Sequence, residues 1–326
     1  MLTPRSIFQI HPTLRCNLQC RHCYSSSGPH RSEALPAQLV LGAVDDAADA
    51  GYRVLGVSGG EPLLYAGLTE VLRRAHLLGL TTTVTTNGML LTQRRIDALL
   101  GLVDVLAISL DGMPERHVWM RRDGGAFAKM AARLPALRDS GIPFGFVFTL
   151  TMSNVHELDW IAAFAADAGA SLLQVHPLEL EGYARTNMPG DVPDVVELGY
   201  AAVEAARLRA SGQLFIQYDI LPRTALVEHA DRLLASREAA GNASWLSPIV
   251  LEADGEVVPV TYGFNRRYSL GNILQGRLRS MLAQWCPKDF LQLVRETSDD
   301  MAADERQALV NWYGSLAHHS HEAVRP

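Results

Sequence analysis

Apolar and polar positions along this chain fall into two alternating periods. Residues 6–10, 53–58, 81–86, 103–109, 144–150 and 172–176 are short, largely apolar or β-branched runs and predict strands. Residues 37–50, 68–78, 93–102, 126–140 and 155–168 carry apolar residues at helical spacing. Pro36 suits a helix start, Thr92 an N-cap and Gly79 a C-cap. Strand and helix thus alternate about six times, which predicts right-handed crossovers and a parallel sheet buried on both faces. Such a sheet either closes into a barrel or opens into a doubly wound layer.

Beyond that repeat, residues 195–211 and 223–240 are helical in pattern and 215–220 is a strand. The texture then changes. Residues 249–259 alternate around Asp254-Gly255 and predict a β-hairpin, followed by a helix over 277–285. The pattern divides the chain into a core over 1–220, a linker helix over 221–244 and an extension over 245–326. Polar and glycine residues gather just after the strands: Cys16–Cys23, Gly59–Glu61, Asn87, Asp111 and His176. Both sheet types place their chemistry there.

Composition narrows the classes. The 326 residues suffice for a full α/β core. A balance of 29 basic and 35 acidic side chains, without a basic run, argues against nucleic acid. No apolar run reaches the roughly 20 residues that cross a bilayer. The N-terminal residues show no signal region, so a cytoplasmic location is expected. Three of the four cysteines are clustered, which is not a disulfide framework and fits a reducing compartment. His318, His319 and His321 are read as part of a solvated, disordered tail rather than a metal tract.

The central stretch is Cys16-Asn17-Leu18-Gln19-Cys20-Arg21-His22-Cys23, spaced C-x3-C-x2-C. Three close thiolates can converge on a soft metal centre. Zinc would need a distant fourth ligand, and three buried thiols are the bland alternative. A four-iron cubane on three cysteines would leave one iron open to a ligand. With His22 before the third cysteine and a strand before the loop, this stretch resembles the radical S-adenosylmethionine (SAM) superfamily.

That resemblance implies one [4Fe-4S] cluster on Cys16, Cys20 and Cys23, with SAM on the open iron. It implies reductive cleavage of SAM to methionine and a 5′-deoxyadenosyl radical that abstracts a substrate hydrogen. The implied fold is α/β, a partial (β/α)6 TIM-type barrel with a small C-terminal β-hairpin and helix extension. Gly59-Gly60-Glu61-Pro62 resembles the turn that meets the methionine amino group, the glycines acting through their backbone. Thr86 and Asn87 resemble the third-strand polar pair beside SAM. Ser109 and Asp111 resemble the pair near the ribose and methionine carboxylate, and Asp supplies two acceptor oxygens. Arg121 resembles the arginine that pairs with the SAM carboxylate, a fit for a guanidinium fork. Arg122 replaces the usual glycine, so either arginine can turn inward. Val175 or Leu178 would pack on adenine, and His176 is a candidate proton carrier beside the alternative of a structural histidine.

The extension resembles a SPASM or twitch module, but Val260 stands where a cysteine is expected and no auxiliary cluster can form. Cys286 is then a leftover thiol or a hydrogen-atom donor. Modification of a ribosomally made peptide is the expected activity. With no recognition domain before Cys16, a separate peptide-recognition protein would present the substrate, and a flavodoxin- or ferredoxin-type donor would supply electrons. Radical oxidation or rearrangement of a small natural-product metabolite is the second reading. A non-catalytic metal-binding scaffold is the third.

Overall fold

The computed structural model describes residues 6–212, 214–228 and 246–322. The predicted repeat forms as β1 (Ile7–Ile10), α1 (Ala37–Asp49), β2 (Val54–Val57), α2 (Leu68–Leu77), β3 (Thr81–Thr86), α3 (Gln93–Leu99) and β4 (Val105–Ser109). It continues through α4 (Pro114–Arg121), α5 (Ala126–Ala131), α6 (Leu134–Ser140), β5 (Phe144–Leu150), α7 (Leu158–Ala168) and β6 (Leu172–Pro177). The helix expected over 126–140 is two helices, because Pro135 opens α6 and cannot donate within a continuous helix. Thr92 precedes α3 but makes no side-chain cap bond.

After β6 come α8 (Ala184–Asn187), α9 (Val195–Ser211), β7 (Phe215–Tyr218) and β8 (Leu221–Pro222). Asp194 and Glu197 form a reciprocal capping box that starts α9. The expected linker helix over 221–244 lies mostly outside the described residues; 223–228 is helical. The extension supplies β9 (Ile249–Leu251), β10 (Glu256–Pro259), β11 (Gly271–Asn272), α10 (Leu278–Gln284), α11 (Lys288–Ala303), β12 (Leu309–Val310) and α12 (Trp312–Glu322).

One ten-stranded sheet runs β11-β10-β9-β1-β2-β3-β4-β5-β6-β7 among the described residues. Neighbours from β1 to β7 are parallel. The sheet does not close: β7 is one edge, and the far side of β1 takes β9, Phe8 pairing with Ile249. The hairpin therefore prolongs the core sheet. Asp46, buried on α1, accepts from Arg277 Nη2 at 2.6 Å and Nε at 2.9 Å and ties α10 to α1. The expected disordered tail is instead helical: α12 includes His318, His319 and His321, and His319 Nδ1 lies 3.0 Å from Thr297 Oγ1 on α11. Packing of α12 on α11 supplies the contacts that composition could not reveal.

Burial on both faces, as expected, holds for Leu55, Gly56 and Val57 of β2 but not for every strand. Burial alternates along β3, β4 and β6. One face, with Val84, Leu106, Ile108, Phe146, Phe148, Leu173 and Val175, is fully buried in the main core. The other is half-buried and more polar. Register puts Ser109, Val147, Gln174 and Gln217 in one row of that second face, and Thr149 beside His176 in the next. Paired residues share a face of the sheet, so these rows line the less buried face of the open sheet, the trough.

Candidate functional site

The cysteine loop leaves β1 at Ile10 and lies across the C-terminal ends of the strands. Its shape is set by backbone pairing: Cys16 N donates to Gly28 O at 3.2 Å and Gly28 N to Leu14 O at 3.2 Å. Cys16 and Cys20 are buried and cluster with Leu18, Met89 and Ala126, with half-buried Cys23 packed against them. Each sulfur has a hydrogen-bond partner. Cys16 Sγ receives Leu18 N at 3.4 Å and Asn87 Nδ2 at 3.9 Å. Cys20 Sγ receives Arg121 Nη1 at 3.7 Å. Cys23 Sγ is 3.5 Å from Ser25 Oγ. Burial pushes the Cys16 thiol up to about 12 and the Cys20 thiol to about 11, Arg121 opposing the latter. Loading a metal there must displace protons.

Among the described residues no three ligand-type side chains are poised around a single metal ion. The thiols are gathered in one cluster.

The turn after β2 is shaped by its approach to this loop. A Cβ on Gly60 would lie 2.2 Å from Arg15 O, and one on Gly59, at φ +115°, 2.7 Å from Thr13 O. Gly60 N donates to Thr13 O at 2.7 Å and Glu61 N to Arg15 O at 2.9 Å. The amides of Gly60 and Glu61 are thus spent on the cysteine loop. Glu61 is fully buried. Its carboxylate accepts from Leu63 N at 3.1 Å, Thr86 Oγ1 at 2.7 Å and Asn87 N at 3.0 Å. Burial raises its pKa against those bonds. Glu61 therefore caps the short turn opened by Pro62 and clamps it to the end of β3. Asn87 continues the chain of contacts, donating to Asn17 Oδ1 at 2.9 Å. Asn17 gave no sequence signal of its own.

At the end of β4, Asp111 and Arg121 meet each other. Arg121 Nε donates to Asp111 Oδ2 at 2.5 Å and Nη2 to Oδ1 at 3.1 Å, both side chains buried. Burial alone would raise Asp111, but the guanidinium prevails and holds it at about 2. Arg122 is exposed in the left-handed conformation at φ +56°. This answers which arginine turns inward, and shows Arg122 holding the backbone shape that a glycine usually serves. Burial lowers His22 and His117 to about 4, so both rings are neutral at pH 7. His22 Nδ1 is buried without a hydrogen-bond partner. An orphaned ring nitrogen beside three thiols fits a pocket that takes a polar ligand. Ser109 is half-buried in the trough row described above.

The loop after β6 closes over the cysteines. Tyr183 N donates to Cys23 O at 2.8 Å, and a Cβ on Gly182 would lie 2.2 Å from Tyr24 O. Val175, expected against adenine, belongs to the fully buried face and is a correction: side-chain alternation turns it away from the trough. Leu178 is buried with Met120, Ala184 and Met188. His176 does face the trough. Its Nδ1 is 3.1 Å from Asp219 Oδ2, and its Nε2 is 3.8 Å from Glu179 Oε1. Burial lowers its pKa, but Asp219 and Glu179 outweigh that and raise it. Gln174 and Gln217 also donate to Asp219, and Asn311 donates to Glu179 at 3.0 Å. Asp219 and Asn311 were missed; nothing near them in sequence marks them. Cys286 is exposed after α10, the helix packed on α1, and shares no hydrogen bond with the cysteine loop. The fold does not bring it to the thiols.

Residues 10–165 match the model of the radical SAM superfamily. The chain is 28% identical over 250 residues to a PqqA peptide cyclase of Ruegeria pomeroyi, covering 76% of this chain and 65% of that protein. It is 27% identical over 297 residues to a pre-heme d1 synthase of Dinoroseobacter shibae, covering 84% of this chain and 72% of that protein. Its fold is shared with Streptococcus suis SuiB, solved bound to the precursor peptide SuiA, at a TM-score of 0.69 and 13% identity over 96% of this chain and 70% of that one. The chain thus spans just under two thirds of the length of the cyclase. The stretch that matches the superfamily model is just under half of the chain. It ends before the hairpin.

Proposed function

We propose that this chain is a radical SAM enzyme that modifies a ribosomally made peptide. The observation that carries the radical SAM reading is the trio Cys16, Cys20 and Cys23 in one buried pocket, each sulfur met by a hydrogen-bond partner. A bound [4Fe-4S] cluster would supply the electron for reductive cleavage of SAM and so the means of hydrogen-atom abstraction from the substrate. Cys16, Cys20 and Cys23 would hold it, and the burial of Cys16 and Cys20 limits access of water. Gly59, Gly60 and Pro62 seat the turn under the loop, and Glu61 locks that turn to Thr86 and Asn87. Ser109, half-buried, and the unpartnered Nδ1 of His22 are polar groups available to SAM. His176 carries a proton at the trough's far rim, its ring oriented by Asp219.

The peptide substrate is supported by the names of two similar proteins, a peptide cyclase and an enzyme solved with its precursor peptide. The similarity to pre-heme d1 synthase favours a second reading, a small tetrapyrrole-like or natural-product substrate. An external one-electron donor and a separate peptide-recognition protein complete the proposal. No helix among the described residues is long and apolar enough to cross a membrane. The test is anaerobic reconstitution with iron and sulfide, then reduction with SAM. About four irons per chain and 5′-deoxyadenosine by mass spectrometry are expected. A folded protein that takes up no cluster and releases no deoxyadenosine would overturn the reading.

A further inference from the structure

We infer that Arg121 and Asp111 act as a tuning pair for the cluster ligand Cys20. The inference rests on the radical SAM reading above. The three thiols are not equivalent. Among the described residues Cys16 faces a backbone amide and the neutral Asn87, and Cys23 a serine hydroxyl. Cys20 alone among them meets a cation, through Arg121 Nη1 at 3.7 Å. The other edge of the guanidinium is engaged by both oxygens of Asp111.

Asp111 is itself held in place. Its amide donates to His117 Nδ1 at 3.2 Å, and Asn154 Nδ2 donates to its carbonyl at 3.1 Å. Its Oδ1 lies 3.6 Å from His22 Nε2 and its Oδ2 3.8 Å from His117 Nδ1. Turning Asp111 toward a ribose would strip a buried guanidinium of its counter-charge, which is costly in a dry site. The pair is therefore built to stay together, with one guanidinium nitrogen left to reach the sulfur.

A hydrogen bond from a cation to a ligating sulfur favours the more negative, reduced cluster. The carboxylate behind it opposes that effect. Removing the two members must then move the cluster's potential in opposite directions. A purely structural role would not give opposite signs.

The experiment is an anaerobic, EPR-monitored redox titration of the reconstituted protein without SAM. Arg121→Gln is expected to lower the midpoint potential relative to the wild type, and Asp111→Asn to raise it. Arg121→Lys, which keeps the charge but not the fork, should fall between wild type and Arg121→Gln. Equal potentials in all variants, with SAM affinity alone reduced, would assign the pair to SAM and overturn the inference. Shifts of the same sign would mean general loosening and overturn it too. If Arg121→Gln loads no cluster, the sign of the Asp111→Asn shift still decides. A wild type that binds no cluster would instead remove the radical SAM reading itself.

Discussion

The two rims of the trough are built in different ways. The rim at β1–β4 is dry: Cys16, Glu61, Asn87, Asp111 and Arg121 are all buried, and their polar atoms are spent on each other. The rim at β6–β7 is wet: the side chains of His176, Glu179 and Asp219 are 37%, 20% and 17% exposed. Buried polar networks cost much if left incomplete and so hold one geometry. That suits a cofactor that never changes. Half-exposed side chains stay adaptable and are screened by water, which suits the part that meets a particular substrate.

The comparison is broken most severely at the dry rim. Cys16→Ala, Cys20→Ala and Cys23→Ala should each abolish cluster uptake and SAM cleavage; iron analysis and deoxyadenosine release check this. Gly60→Ala comes next, since its methyl would drive into Arg15 O. Overpacking of this kind costs about 1–3 kcal/mol, and here it displaces the cysteine loop. A lower unfolding midpoint with reduced iron uptake is expected, whereas Gly124→Ala, with open space at its Cβ, should match the wild type.

At the wet rim the expected loss falls on substrate conversion. His176→Gln should lower it about 100-fold, the scale of one positioned acid–base group. Asp219→Asn removes the charge that raises His176, so the imidazole titration followed by NMR should move to lower pH. The stability side has a defined sign. The His176 contribution is whole below the ordinary histidine value and fades as pH rises through the raised folded one. The Asp219 contribution is whole above the ordinary aspartate value and fades as pH falls through its lowered one. Thermal melting of wild type and Asp219→Asn across pH should show the variant losing its deficit at both extremes.

The smallest effect sharpens the contrast from outside both rims. Arg122 pays for a left-handed backbone without contributing to the pocket. Arg122→Gly should raise stability by about 1 kcal/mol, read as a higher Tm, and leave cluster loading intact.

The dry rim was legible because its motifs are local: each sits within a few residues of a strand end, and the strand pattern places those ends together. Gly59 and Gly60 were marked by type, Cys16–Cys23 by spacing. What they do was less legible. Glu61 stands in a turn that resembles one meeting an amino group, yet its carboxylate oxygens are filled by its own fold. Asp111 and Arg121 read as two independent contacts, yet they are one ion pair.

By itself the sequence determined the strand–helix repeat, the parallel sheet and the three thiols, because each follows from periodicity or spacing within a short window. Only the tertiary structure decided that Val175 faces helices while His176 faces the trough, since a two-residue period shows alternation without saying which face is which. It alone joined His176 to Asp219, 43 residues away, and Glu179 to Asn311, 132 residues away. It alone set β9 beside β1 and left Cys286 on the surface. Those outcomes depend on which distant surfaces bury each other, a choice made by the packing of the whole chain and not by any one stretch of it.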